Sequence, residues 1–328
     1  MAPKDTKFSD AVMRFDAAEA AQLKLDAAQT LNLRHELEHV RAQTYDIKFP
    51  QFKARMFVPI DTSVPTGAET VAFESYEELG DAEISSDYDS EGPEVNVQKT
   101  REAQSIFAVK NKYSFSLQEI RSAAMAGNRL PARKARAARM LHEQKLDRVM
   151  LLGDSTWGLK GLYTLSNTCT YTPPAGAAGS KYWSAKTPDE ILTDLFGMEN
   201  TIIETTLEVE RPDTLILPLS EKNRIAKLRM GDGIDGTVLQ FFLANATAIT
   251  KVEADPKLEA APASEWTGKR MVAYRRAEEV LQGVAPQPFE QLPPQNRGFK
   301  TVTLCHSRLA GVEVHYPKAI CYGDEIGA

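Results

Sequence analysis

His35-Glu36-Leu37-Glu38-His39 satisfies the H-E-x-x-H pattern. Two histidines four apart on a helix face one metal together, and the glutamate beside the first polarises a bound water, which is the chemistry of a zinc hydrolase. Three features oppose it here: a charged Glu38 between the histidines, a polar helix around them near the N-terminus, and no clear third ligand downstream. Gly153-Asp154-Ser155 sets a serine in a turn, yet no Asp-x-x-His segment accompanies His306 or His315 to activate it. Gly153 and Gly158 have the spacing of a phosphate loop, but Leu159 stands where the lysine belongs and Lys160 is displaced by one. Asp87, Asp89, Glu91 and Gly92 imitate the opening of a calcium loop until Pro93 follows, and Gln98 occupies the position of the bidentate acid. Arg133, Lys134, Arg136 and Arg139 make a basic cluster whose interleaved alanines offer no aromatic platform for bases, so it reads as a solvated or intersubunit face. No catalytic residue, metal or cofactor is expected.

The elements that would hold such residues are legible from caps and periodicity. Tyr113-Ser114-Phe115 is an aromatic strand end, and Ser116 with Glu119 forms the reciprocal cap that opens a helix. The helical pattern pauses at Gly127-Asn128 and resumes behind Pro131, which a first helical turn tolerates. Ala135, Ala138, Leu141, Leu146, Val149 and Leu152 then fall on one arc, Arg133, Arg136 and Arg139 lie off it, and Gly153 ends the helix. Upstream, residues 9–44 carry a thin apolar stripe through Phe8, Val12, Phe15, Leu33, Leu37 and Val40, which predicts a helix stabilised by docking. Pro50, Pro59 and Pro65 predict an extended passage, followed by a long hairpin from Glu69 to Tyr76 and back through Val95 and Val97 to Val109. Its tip holds Asp81, Glu83, Asp87, Asp89, Glu91 and Glu94 with no lysine or arginine, while Lys99, Arg101, Lys110 and Lys112 lie on the returning side.

Downstream, Thr187-Pro188-Asp189-Glu190 is a complete helix start, followed by Ile191, Leu195, Met198 and Ile202 at helical spacing. Arg211-Pro212-Asp213 breaks the pattern and marks a domain change before a buried strand at 214–217 and a helix capped by Ser220. Gly231 to Gly236 is a glycine-rich loop, and Thr237 with Gln240 caps a short helix. Strands are predicted at 249–252, 271–274 and 299–306, and Val312, Val314 and Tyr316 alternate with Glu313 and His315 as in a half-buried strand.

Composition narrows the class. A length of 328 residues suits about two domains, and 42% hydrophobic content suits a packed core. The net charge of −6 disfavours sequence-independent nucleic-acid binding, since that affinity rests on cations displacing counterions. Cys169, Cys305 and Cys321 are widely spaced, which indicates buried thiols rather than a disulfide framework or a zinc knuckle. No apolar run is long enough for a membrane span, and Met1-Ala2-Pro3-Lys4-Asp5 has no signal-peptide core.

Tyr113-Ser114, Gln118-Glu119-Ile120-Arg121, Glu143-Gln144-Lys145 and Gly158-Leu159-Lys160-Gly161-Leu162 together resemble a family of tailed-bacteriophage major capsid proteins. Tyr45 to Pro50, Arg270 to Arg276, Phe289 to Pro293, His306-Ser307-Arg308 and Tyr322-Gly323-Asp324 extend the resemblance, in the family's order, from about residue 45 onward. It implies an α+β chain of the Hong Kong 97-type capsid fold: an N-terminal arm over 1–48, an extended loop over 65–112, a peripheral domain with a long spine helix from 49–64, 113–210 and 286–316, and an axial domain from 211–285 and 317–328. The implied partners are copies of itself in hexamers and pentamers, a portal protein, a scaffold or decoration protein, and packaged DNA in non-specific proximity, with no membrane. The implied location is a virion capsid assembled in the bacterial cytoplasm. Asp81, Glu83, Asp87, Asp89, Glu91, Glu94, Arg133, Arg136 and Arg139 become candidate assembly contacts. The same fold builds encapsulin compartments around enzyme cargo, and that reading stays open beside the zinc one. The type member of the fold cross-links a lysine on its extended loop to a neighbour's asparagine; the acidic tip here has no lysine.

Overall fold

The computed structural model describes residues 50–82, 84, 94–125, 130–231, 236–260 and 265–327. Apart from Pro50 and Gln51 these belong to one compact unit, Phe52–Ala328. The helix expected over 9–44, the H-E-x-x-H motif and most of the acidic tip lie outside the described residues, as does the centre of the glycine-rich loop.

A single helical turn, α1 (Ala54–Phe57), interrupts the passage expected to be extended. Its first N–H groups have no local cap; Asp147 supplies one from 93 residues away, accepting from Lys53 N at 2.7 Å and Ala54 N at 2.8 Å. After β1 (Ile60–Asp61), β2 (Thr70–Leu79) and β3 (Asn96–Ser105) pair antiparallel with each other alone, from Thr70↔Ser105 to Leu79↔Asn96. β4 (Phe107–Ser116) leads into α2 (Leu117–Met125), opened as expected: Ser116 N donates to Glu119 Oε2 at 2.9 Å and Glu119 N to Ser116 Oγ at 3.1 Å. α3 (Leu130–Leu152) has Pro131 in its first turn and stops at Gly153, whose φ of 74° lies in the left-handed region.

The chain then folds back tightly along the end of α3. Leu162 N and Tyr163 N each donate at 2.9 Å to Met150 O and Leu151 O. A Cβ on Gly161 would press on Gly153 N and come within 2.6 Å of Leu151 O, all of it backbone that cannot rotate aside. Gly161→Ala should therefore lower the thermal unfolding midpoint through a loss of ~1–3 kcal/mol, whereas Gly67→Ala, with nothing within 4 Å, should stay within ~0.5 kcal/mol.

β5 (Cys169–Tyr171) precedes α4 (Pro188–Thr205), where Thr187 and Glu190 make the expected capping box and Ile191, Leu195, Met198 and Ile202 are wholly buried. β6 (Thr214–Leu217), α5 (Leu219–Lys227), α6 (Val238–Asn245), β7 (Lys251–Ala254), β8 (Met271–Tyr274), β9 (Leu281–Val284), β10 (Gln287–Gln291), β11 (Gln295–Arg297), β12 (Lys300–Leu309), β13 (Gly311–Val314) and β14 (Ile320–Gly323) complete the order. A five-stranded sheet runs β5-β14-β8-β6-β7; β12 joins β10, β11 and β4; and β9 lies between β1 and β13. α3 covers the buried face of β12, and α4 packs on β5 and β14. One core surrounds Phe57, Val149, Met150, Tyr163 and Tyr274; the other surrounds Trp183, Leu195, Leu215 and Phe242.

Four local expectations change. Leu141 is 53% exposed, because the buried arc of α3 runs through Ala138, His142, Val149 and Met150 instead. His142 holds an inward place by bonding Ser307 Oγ at 2.8 Å and packing edge-on against Phe289. Ser220 does not cap α5 but lies inside it, where Glu259 bonds its N–H at 2.7 Å and its hydroxyl at 2.8 Å. The strand expected at 249–252 begins at Lys251. In β13 Glu313 is buried, while Tyr316, past its end, is 55% exposed.

Candidate functional site

Among the described residues, Asp154 and the glycines near it, which resembled parts of catalytic motifs, are held for structural reasons. Asp154 accepts from Thr156 N to cap a single 3-10 turn and pairs with Lys145 Nζ at 2.7 Å, which holds its carboxyl below the ordinary range. Ser155 is exposed, and the histidine of α3 serves Ser307 instead. Between Gly153 and Gly161 the backbone packs on backbone, so the turn makes no cradle for a phosphate. Among the described residues no group of three His, Cys, Asp or Glu side chains is placed to hold a metal. The three cysteines are buried and unpaired with one another, as expected, and burial raises the thiols of Cys305 and Cys321.

The hairpin is the least self-sufficient element. Every residue of β3 except Gln104 is exposed, so the ribbon has no core of its own beyond its root. A two-stranded ribbon in water is marginal without a third layer, and its unpaired edges are templates for other chains. Along it Tyr76 (63%), Val95 (71%) and Val97 (54%) face solvent. Cross-strand chemistry holds the register: Lys99 Nζ pairs with Glu74 at 2.6 Å and sits 5.7 Å from the Tyr76 ring centroid. That hydrogen bond lowers the Glu74 carboxyl and raises the Lys99 ammonium.

Asp81 and Glu94 lie at the far end of this ribbon and are exposed; Glu83, Asp87, Asp89 and Glu91 fall outside the described residues. Arg133, Arg136 and Arg139 are exposed along α3, off its buried arc. Of these candidates, the described ones stand on different elements: Asp81 and Glu94 beyond the ends of β2 and β3, and the three arginines on α3. The exposure of the ribbon's apolar side chains went unnoticed in the sequence, although β-branched Val95 and Val97 at period two, followed on the same face by Lys99 and Arg101, gave a signal. A second exposed apolar group comes from Leu117, Ile120 and Phe299, where Leu117 N donates to Phe299 O at 2.9 Å.

A paired ribbon without a core, a long helix laid across a sheet, and a separate mixed sheet with its own helices define the Hong Kong 97-type capsid fold, and solved structures share it. The chain is similar to a chain in the capsid of Myoviridae phage XM1, at 18% identity and a TM-score of 0.75, over 88% of this chain and 96% of that one. A chain of the capsid of a native GTA particle matches at 11% identity and 0.62, over 93% and 100%. A chain of Mycobacterium phage Ogopogo matches at 9% and 0.60, over 89% and 97%. No curated protein sequence matches. The sequence model of the major capsid proteins matches residues 80–326, and the chain belongs to that family.

Proposed function

We propose that this chain is the head protein of a tailed bacteriophage, copied many times into an icosahedral shell that encloses double-stranded DNA, and that it is not an enzyme. The observation that carries the contact surfaces is the ribbon of β2 and β3, exposed on both faces beyond its root and paired with no other strand among the described residues. Such an element lowers its free energy by lying on another copy. In this reading residues 1–48 are an arm and 65–112 the extended loop. Residues 49–64, 113–210 and 286–316 form a peripheral domain, and 211–285 with 317–328 an axial domain meeting its copies in hexamers and pentamers. Asp81, Glu83, Asp87, Asp89, Glu91 and Glu94 then meet basic side chains of a neighbour, and Arg133, Arg136 and Arg139 lie at or beside contacts. A portal, with a scaffold or decoration protein, completes a particle assembled in the host cytoplasm.

Electron microscopy and sedimentation of the purified protein test this. Uniform closed particles hundreds of ångströms across support it, and a DNA filling separates a virus head from a cargo compartment. A strictly monomeric protein with stoichiometric zinc would overturn it in favour of His35 and His39. Since no lysine lies between Asp81 and Glu94, we expect shells boiled in detergent to run at the monomer mass on a gel; a ladder of multimers would show cross-linking through some other residue.

A further inference from the structure

Glu313 is a buried carboxyl with one oxygen unpartnered among the described residues. Its neighbours Val312 and Val314 pack on the core, so alternation along β13 turns Glu313 the other way, toward the root of the ribbon. It is 7% exposed, and its Oε1 has no hydrogen-bond donor among the described residues. No cation lies within salt-bridge distance among the described residues. Burial, reinforced by the nearby carboxylates of Asp61 and Glu102, raises its pKa. It faces a cavity of about 240 Å³ whose walls include Phe73 and Glu102 of the ribbon, Val314 of β13, and Lys160 and Asn167 after α3. Phe73 is fixed there by an edge-on contact with His315, ring centroids 4.6 Å apart. Lys160 is anchored through its carbonyl, which accepts from Val312 N at 3.0 Å, and its exposed side chain makes no ion pair with a described residue.

Folded proteins leave few buried polar groups unsatisfied, and a buried carboxyl is satisfied best by a cation that donates hydrogen bonds to it. We propose that this cavity receives a lysine or arginine side chain from a second copy of the chain. The inference rests on the head-protein reading, which supplies the second copy. A neighbour fits better than a free metal ion, because the described residues offer no three-ligand group there. The chain also has basic side chains to give: Arg133 and Arg139 on α3 and Lys110 and Lys112 on β4 are exposed and make no ion pair with described residues. Two carboxylates in its walls, Glu102 of β3 and Glu313 of β13, against the single Lys160 leave the cavity acidic, complementary to such a visitor. Closing it would fix the ribbon's root to the body at the moment of assembly.

Electron cryomicroscopy of assembled shells is the direct test. The expected map shows a basic side chain of a neighbouring copy in hydrogen-bond contact with Glu313; an empty cavity, or one filled by Lys160 of the same copy, would overturn the proposal. Glu313→Gln keeps the shape and removes the charge. Subunits carrying it should fold with an unfolding midpoint equal to or above that of the unaltered protein, while their shells dissociate in less urea. Shells as resistant as the unaltered ones would count against an intersubunit pair. Lys160→Met should leave shell resistance unchanged; a loss matching that of Glu313→Gln would assign the pair to one chain. If no shell forms under any condition, the head-protein reading itself fails, which is a different result from a shell with an empty cavity.

Discussion

Lys186→Met should destabilise the subunit by ~3–5 kcal/mol, the usual cost of removing one partner from a buried ion pair. Lys186 Nζ lies 2.6 Å from Asp194 Oδ2, with the two side chains 1% and 0% exposed. Trp183 Nε1 donates to the same oxygen at 2.8 Å, and Tyr171 OH donates to the other at 3.4 Å. Burial already raises the Asp194 carboxyl, and the lysine's hydrogen bond and charge oppose that rise. Without the lysine the folded pKa moves further above the unfolded one. The protonated carboxyl is then the stable folded form, so the variant keeps its stability at low pH and loses it as pH rises through the folded pKa. Urea unfolding at several pH values should show a Lys186→Met deficit that is larger at pH 8 than at pH 5. Lys186→Met with Asp194→Leu should recover much of the loss, because a matched apolar pair leaves no charge stranded. A single substitution costing under ~1 kcal/mol would show that water reaches the pair.

Arg270→Lys should cost about 3 kcal/mol despite the retained charge. Arg270 Nε and Nη2 grip Asp324 Oδ1 and Oδ2 at 2.6 and 2.8 Å, while Nη1 donates to Tyr163 O at 2.6 Å. The guanidinium carbon lies 4.6 Å from the Trp266 ring centroid and 4.4 Å from that of Tyr322, over both rings. Tyr322 OH in turn donates to Leu162 O at 2.5 Å. One planar cation thus ties the start of β8, the end of β14 and the return after α3 into a single joint. An ammonium cannot reproduce the fork, the stack and the third bond together. Differential scanning calorimetry should show the loss at both Arg270→Lys and Arg270→Leu. A lysine variant indistinguishable from the parent would mean that charge alone holds the joint.

What could be read from the sequence was what is decided locally. The cap pairs Ser116–Glu119, Thr187–Glu190 and Thr237–Gln240 close over three residues, and each opens a helix where expected. Features settled by distant partners were misread. α1 depends on Asp147, 93 residues away; Ser220 is engaged by Glu259, 39 away; and His142 takes an inner place through Ser307, 165 away. Glu313 fails in the same way, since an alternating strand assigns its polar residues to water and nothing in β13 announces that the ribbon's root covers that face. For the candidate surfaces, clustered acids and arginines were visible as charge, but Tyr76, Val95 and Val97 were read only as parts of a hairpin, and their exposure emerges from the lack of a covering layer among the described residues.

The five-stranded sheet has one further consequence. Its strand β14, the last of the fourteen described to be synthesised, takes an interior place between β5 and β8, pairing Cys321 with Cys169 and Ala273. A growing chain therefore cannot complete that sheet until residue 323 has left the ribosome, however early β5 emerged. Products of premature termination would present a gap flanked by unsatisfied strand edges instead of a five-stranded sheet. Completion of this sheet is thus tied to the end of translation: a subunit cut short before β14 should lack the strand that joins β5 to β8.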